Sequence, residues 1–168
     1  MSLYELTVPQ YKKMLQNLER WLDKAVAFAD QKKFDPKVLL EARLAPDQFP
    51  LTRQIQAACD QAKFCVARLT AKDPPSHPDT EQTVDELRAR IHKVIAYLDG
   101  FRPGDFEGAE TRRIELRLYG GKVISGQNYL VELQFPNFYF HVPTAYAILR
   151  HNGVDLGKSD FLGAVNFS

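Results

Sequence analysis

The sequence predicts a mostly α protein, a four-helix up-down bundle with a short β-hairpin before the last helix. Three observations predict it. Four stretches repeat apolar residues at the 3.6-residue helical period. One stretch alternates apolar and polar residues at period two around a Gly-Gly pair. The connections along the first helices are modest, which favours antiparallel neighbours.

The first helix is expected over about residues 8–31, with Thr7 as its cap and Pro9 in its first turn. Tyr11, Leu15, Leu18, Leu22, Ala25 and Ala29 form its apolar face, widened by Met14, Trp21 and Phe28. Trp21 at this spacing reads as core or bundle edge rather than a ligand platform. Asp35-Pro36 opens a short helical piece carrying Leu39, Leu40 and Leu44. The second long helix spans about Pro50 to Leu69, burying Leu51, Ile55, Ala58, Cys59, Ala62, Val66 and Leu69. Its centre is small (Ala57, Ala58, Cys59, Ala62), which lets a neighbouring helix approach closely or leaves room for something between. Gln56 and Asp60, four apart, stack on one flank.

Residues 71–78, AKDPPSHP, hold three prolines and form a loop that carries His77. Thr83 to Glu86 fits a capping box. Val84, Leu87, Ile91, Val94, Ile95 and Leu98 then give the third long helix, and Gly100 stops it. His92 falls among Arg88, Arg90 and Lys93, on the wet side. After a Gly- and Pro-rich connection, Ile114, Leu116 and Leu118 alternate with Glu115, Arg117 and Tyr119. A two-residue turn at Gly120-Gly121 returns the chain through Val123 and Ile124. Residues 128–133, NYLVEL, fit a strand extension or a helical turn. The fourth helix starts near Asn137 with a bend at Pro143, or starts near Pro143, and ends at Asn152-Gly153.

Bulk properties narrow the function classes. The 168 residues suit one domain, 1–168, and the net charge of +1 gives no pull toward nucleic acid or an acidic membrane. No apolar run approaches the ~20 residues of a membrane span. The start, MSLYELTVPQYKK, lacks the pattern of a signal peptide, so a cytoplasmic protein is expected. Cys59 and Cys65 sit in one helix, about 9 Å apart along its axis, and read as small core residues. Gly157-Lys158-Ser159 lacks the Gly that a phosphate loop needs at position 152, where Asn152 stands. The final stretch reads instead as a tail folding back, with Leu156, Phe161 and Leu162 docking and Lys158 and Asp160 exposed.

Four pieces carry a family resemblance: RLAPDQFPLTRQIQAACDQAK (Arg43–Lys63), PNFYFH (Pro136–His141), TAYAILRHNGV (Thr144–Val154) and GKSDFLG (Gly157–Gly163). They resemble an uncharacterised domain-of-unknown-function family within the DinB/YfiT-like metalloenzyme superfamily. The resemblance implies a single DinB-like bundle domain. It also implies a divalent metal, nickel or zinc, held by one histidine on the second helix and two, four apart, on the last. Here His141 matches the second of that pair, Asn137 occupies the first position, and RQIQAACD on helix two has no histidine. Gln56 and Asp60 are the polar substitutes there. Neutral amide oxygens are poor ligands for nickel or zinc, so this ligand set favours no cofactor. His151 lies ten residues beyond His141, roughly 15 Å along a helix, and cannot complete the set.

Two readings follow. In one, Gln56, Asp60, Asn137 and His141 form a hydrogen-bonded polar network that binds a small ligand or partner without metal. In the other, the cleft between helices two and four is that of a metal- or thiol-dependent transferase or isomerase. His141 is then the catalytic base or metal ligand. A homodimer is expected under both, and Phe135, Phe138, Tyr139 and Phe140 cover either the hairpin or that interface.

Overall fold

The computed structural model describes residues 1–165. It is mostly helical, with one small antiparallel sheet. The order is α1 (Leu3–Lys32), α2 (Lys37–Glu41), α3 (Leu51–Thr70), α4 (Val84–Asp99), β1 (Arg113–Leu116), β2 (Lys122–Ser125), α5 (Gly126–Asn128), a π-helical segment (Tyr129–Gln134), α6 (Phe135–His151) and α7 (Lys158–Leu162). α3 packs on α6 and α4, and α1 packs on all three. Tyr11, Leu15, Trp21 and Leu22 share one buried cluster with Leu51, Ile55, Leu69, Leu87, Ile91, Phe138 and Ile148.

Helix α1 starts earlier than the expected Thr7 cap. Ser2 and Glu5 form a reciprocal capping box, and the Thr7 hydroxyl donates back to the Leu3 carbonyl at 2.6 Å. Pro9 therefore lies inside the helix. Asp35 accepts from the Lys37 N–H at 2.9 Å and opens α2. The capping box at Thr83 and Glu86 is present, and α3 and α4 keep their expected spans to within a residue or so.

The hairpin differs from expectation at its tip. Ile114 pairs with Ile124 and Leu116 with Lys122. The chain then leaves the strand through a 3₁₀ turn at Arg117–Tyr119, so the connection is longer than two residues and Leu118 is 94% exposed. Gly120 and Gly121 do carry the positive φ angles, 69° and 75°, that close it. Ile114 alone of the strand residues is fully buried.

The last helix is the larger correction. It starts at neither Asn137 nor Pro143. Ser125 caps it, accepting from the Asn128 N–H at 3.3 Å, and the backbone stays helical from Gly126 to His151. The π segment explains how Pro136 is tolerated. The Phe135 N–H donates to the Leu130 carbonyl, five residues back. An α-turn would press the Pro136 ring against the carbonyl four residues earlier, and the wider turn relieves that contact.

The tail folds back onto α1. The Trp21 indole N–H donates to the Asp160 carbonyl at 3.0 Å, and the Asn17 amide donates to the Phe161 carbonyl at 2.8 Å. Phe161 stacks on Trp21, with ring centroids 5.6 Å apart. Leu156 is buried as expected, whereas Leu162 is 45% exposed and Asp160 is half-buried in an ion pair with Lys24.

Candidate functional site

The seam between α3 and α6 carries the polar groups. His141 is buried on α6, and its Nδ1 lies 2.8 Å from Gln54 Oε1 on α3. Gln54 is fully buried, and its Nε2 donates to the Phe49 carbonyl at 3.2 Å. That second bond orients the amide with its oxygen toward the imidazole. Nδ1 is then the protonated nitrogen, and Nε2 keeps its lone pair. Phe49 lies parallel to the ring at 6.5 Å and Phe140 meets it edge-on at 5.4 Å. Burial pushes the His141 pKa below its ordinary value, and the nearby Arg53 guanidinium pushes the same way. The imidazole is therefore neutral at pH 7.

The apolar stripe expected for α3 passes over Gln54. A signal existed: it stands three residues after Leu51 and four before Ala58, on the buried face.

The four residues expected to pair among themselves occupy three different surroundings. Gln56 and Asp60 belong to an ionic cluster centred on the buried Arg90. Arg90 Nη2 lies 2.9 Å from Asp60 Oδ1 and 3.0 Å from Asp79 Oδ1, and its Nη1 lies 3.2 Å from Glu81 Oε1. Lys63 reaches Asp60 at 2.9 Å, and the Gln56 amide donates to Glu81 Oε2 at 2.8 Å. Arg53 pairs with Asp79. The cluster staples residues 78–81 to α3 and α4. Asn137 instead lines a groove of about 650 Å³ along the α3–α6 seam, walled by Gln61, Phe64 and Arg68 of α3, by Gln134, and by the hairpin residues Glu115 to Tyr119.

A superfamily-type metal does not fit this donor set. Among the described residues no three or more His, Cys, Asp or Glu side chains group to hold an ion. Asp60 is committed to two cations and Asn137 offers only an amide. The cysteines supply no alternative, because burial pushes both thiols up to about 12. His77 keeps to its loop and His92 lies on the surface, with Nε2 at 2.5 Å from Glu19.

Residues 3–162 match the family described as Domain of unknown function (DUF1993). A crystal structure of a DinB family member protein from Shewanella denitrificans is similar over 99% of this chain and 94% of that one. The two share 52% identity, with a TM-score of 0.96. No curated protein matches the chain. With the family matched over almost the whole chain and a DinB family member superposing on it, the protein belongs to the DUF1993 family within the DinB-like superfamily.

Proposed function

We propose that the chain is a small-ligand-binding module, a cytoplasmic four-helix up-down bundle in which the superfamily's metal position has become a metal-free polar seam. The observation that carries this reading is the His141–Gln54 pair. One imidazole is oriented by a neutral amide, and Asp60 and Glu81 are held by Arg90. A polar pair satisfied in this way is stable without an ion. Asn137 lines the groove that receives the ligand, His141 braces the seam behind it through Gln54, and Gln56 and Asp60 brace α3 from the Arg90 cluster. The module is a homodimer, and the exposed Tyr139 and Phe140 beside His141 suit its interface.

The test is thermal unfolding of untagged protein with and without nickel, zinc or manganese. Tm is expected to stay constant for each metal, whereas a rise of several degrees with one of them overturns the reading.

A second reading has its own observation. With Nδ1–H given to Gln54, the Nε2 lone pair has no partner among the described residues. A neutral His141 so oriented is a competent general base for transferase or isomerase chemistry.

A further inference from the structure

We propose that the groove between α3, the π segment and the hairpin binds a small hydroxylated organic anion, its carboxylate or phosphate on Arg68 and a hydroxyl on Gln134. This names the seat and the class of ligand for the binding role proposed above, and rests on it.

The groove's size falls within the range of small-molecule sites. Gln134, one of its lining residues, carries an unsatisfied group. Gln134 is 2% exposed, and its Oε1 accepts no hydrogen bond from any described residue. A buried amide oxygen left unpaired is costly. The π turn and Pro136 fix the register that keeps Gln134 there. Turning the carboxamide about its last bond brings this oxygen to the groove, where a ligand O–H supplies the missing donor.

The second observation is a cation held in place without a counter-ion. Arg68 Nη1 donates to the Tyr129 hydroxyl at 2.8 Å. The guanidinium lies 5.5 Å from the Phe64 ring centre and 5.8 Å from that of Tyr129. No carboxylate among the described residues is within ion-pairing distance of it. Three contacts to two aromatic residues, with no anion, leave the guanidinium available for a charge-assisted bidentate contact. Lys72 is paired with Asp105 at 2.7 Å, and Asp73, Glu115 and Arg117 are exposed, as Arg68 is, so the contacts to Tyr129 and Phe64 are what set Arg68 apart.

Hydroxyls suit the remaining lining. Gln61, Gln134 and Asn137 present three carboxamides to one groove. Each is both donor and acceptor, as a hydroxyl is, so a polyol pairs with them in either amide orientation.

The experiment is calorimetric titration of the full chain with gluconate, glucose 6-phosphate and neutral glucose. Saturable binding of at least one anion, with none of glucose, is expected. The anion that binds tells a carboxylate from a phosphate head. Arg68→Met weakens that binding about 30-fold. Gln134→Met weakens it about tenfold while raising Tm, because it removes the unpaired amide. Failure of both anions, equal binding of glucose, or undiminished binding to Arg68→Met overturns the assignment. These failures leave constancy of Tm toward metals untouched, and a metal-induced rise in Tm leaves the titration untouched. The two readings therefore fail separately.

Discussion

At the scale of single residues, His141 ties the site to pH. Its folded pKa lies below the unfolded value of about 6.5, chiefly through burial. The unfolded chain therefore binds the proton first as pH falls. Stability contributed by the neutral imidazole is complete above about pH 6.5 and is lost as pH drops through the folded value. His77 is lowered in the same direction by burial and by Lys63 and Arg90. Melting curves from pH 8 to 5 should show Tm falling below pH 6.5, and His141→Gln should flatten that slope. An unchanged slope in the variant would place the loss elsewhere. The carboxylates whose pKa is lowered, Asp105 and Asp160 among them, titrate below this window.

Arg90 is the other decisive residue. Its side chain is 1% exposed and faces Asp60, Asp79 and Glu81. Arg90→Met removes the cation and leaves these carboxylates repelling one another beside the buried Cys59. A loss of about 3 kcal/mol in urea unfolding is expected, at the lower end for a broken buried pair because the carboxylates reach water. A loss below about 0.5 kcal/mol, as for a solvated pair, would contradict this. The sequence sets Gln56 and Asp60 opposite His141 as the polar substitutes for the superfamily's histidine on the second helix. It does not show that a cation from α4 claims Asp60 first. Charge partners separated by 30 residues carry no local pattern.

At the scale of elements, periodicity and caps were legible and backbone accommodation was not. Thr83-x-x-Glu86 marked α4 because both halves of that cap are local. The equivalent Ser2-x-x-Glu5 signal competes with Thr7, because Pro9 suits a first turn that begins after Thr7. The helix through the π segment was hidden by Pro136 and Pro143, two residues that normally end helices. Here the packing of Phe138, Val142 and Ala145 holds the segment helical. Helix α7 gives a test at this scale. Gly163 has φ 62°, and a Cβ there would come within 2.3 Å of the buried Asn17 Oδ1. Gly163→Ala should therefore detach the tail from Trp21. A changed near-UV signal and faster proteolysis around residues 157–163 are expected, with far-UV helicity nearly unchanged. A variant with wild-type near-UV signal and proteolysis would show that Asn17 yields.

At the scale of the whole molecule, the fold combines a well-anchored helical core with a lightly attached hairpin. Helix α3 touches every other long helix, and most of its inner face is fully buried. The hairpin contributes one buried side chain, Ile114, and its tip projects Leu118 into water. Opening free energies follow buried contacts, so the core should open only on global unfolding and the hairpin far sooner. Amides of Ile55, Cys59 and Val66 should then exchange at the global rate. Those of the Arg113–Leu116 and Lys122–Ser125 ladder should exchange at least about 100-fold faster in native-state hydrogen exchange. The hairpin also forms one wall of the groove. Saturating the groove with a binding anion should slow exchange in the hairpin and leave α3 unchanged. Equal protection of hairpin and core in the free protein would mean that the sheet is part of the cooperative unit and that the groove is closed by rigid walls.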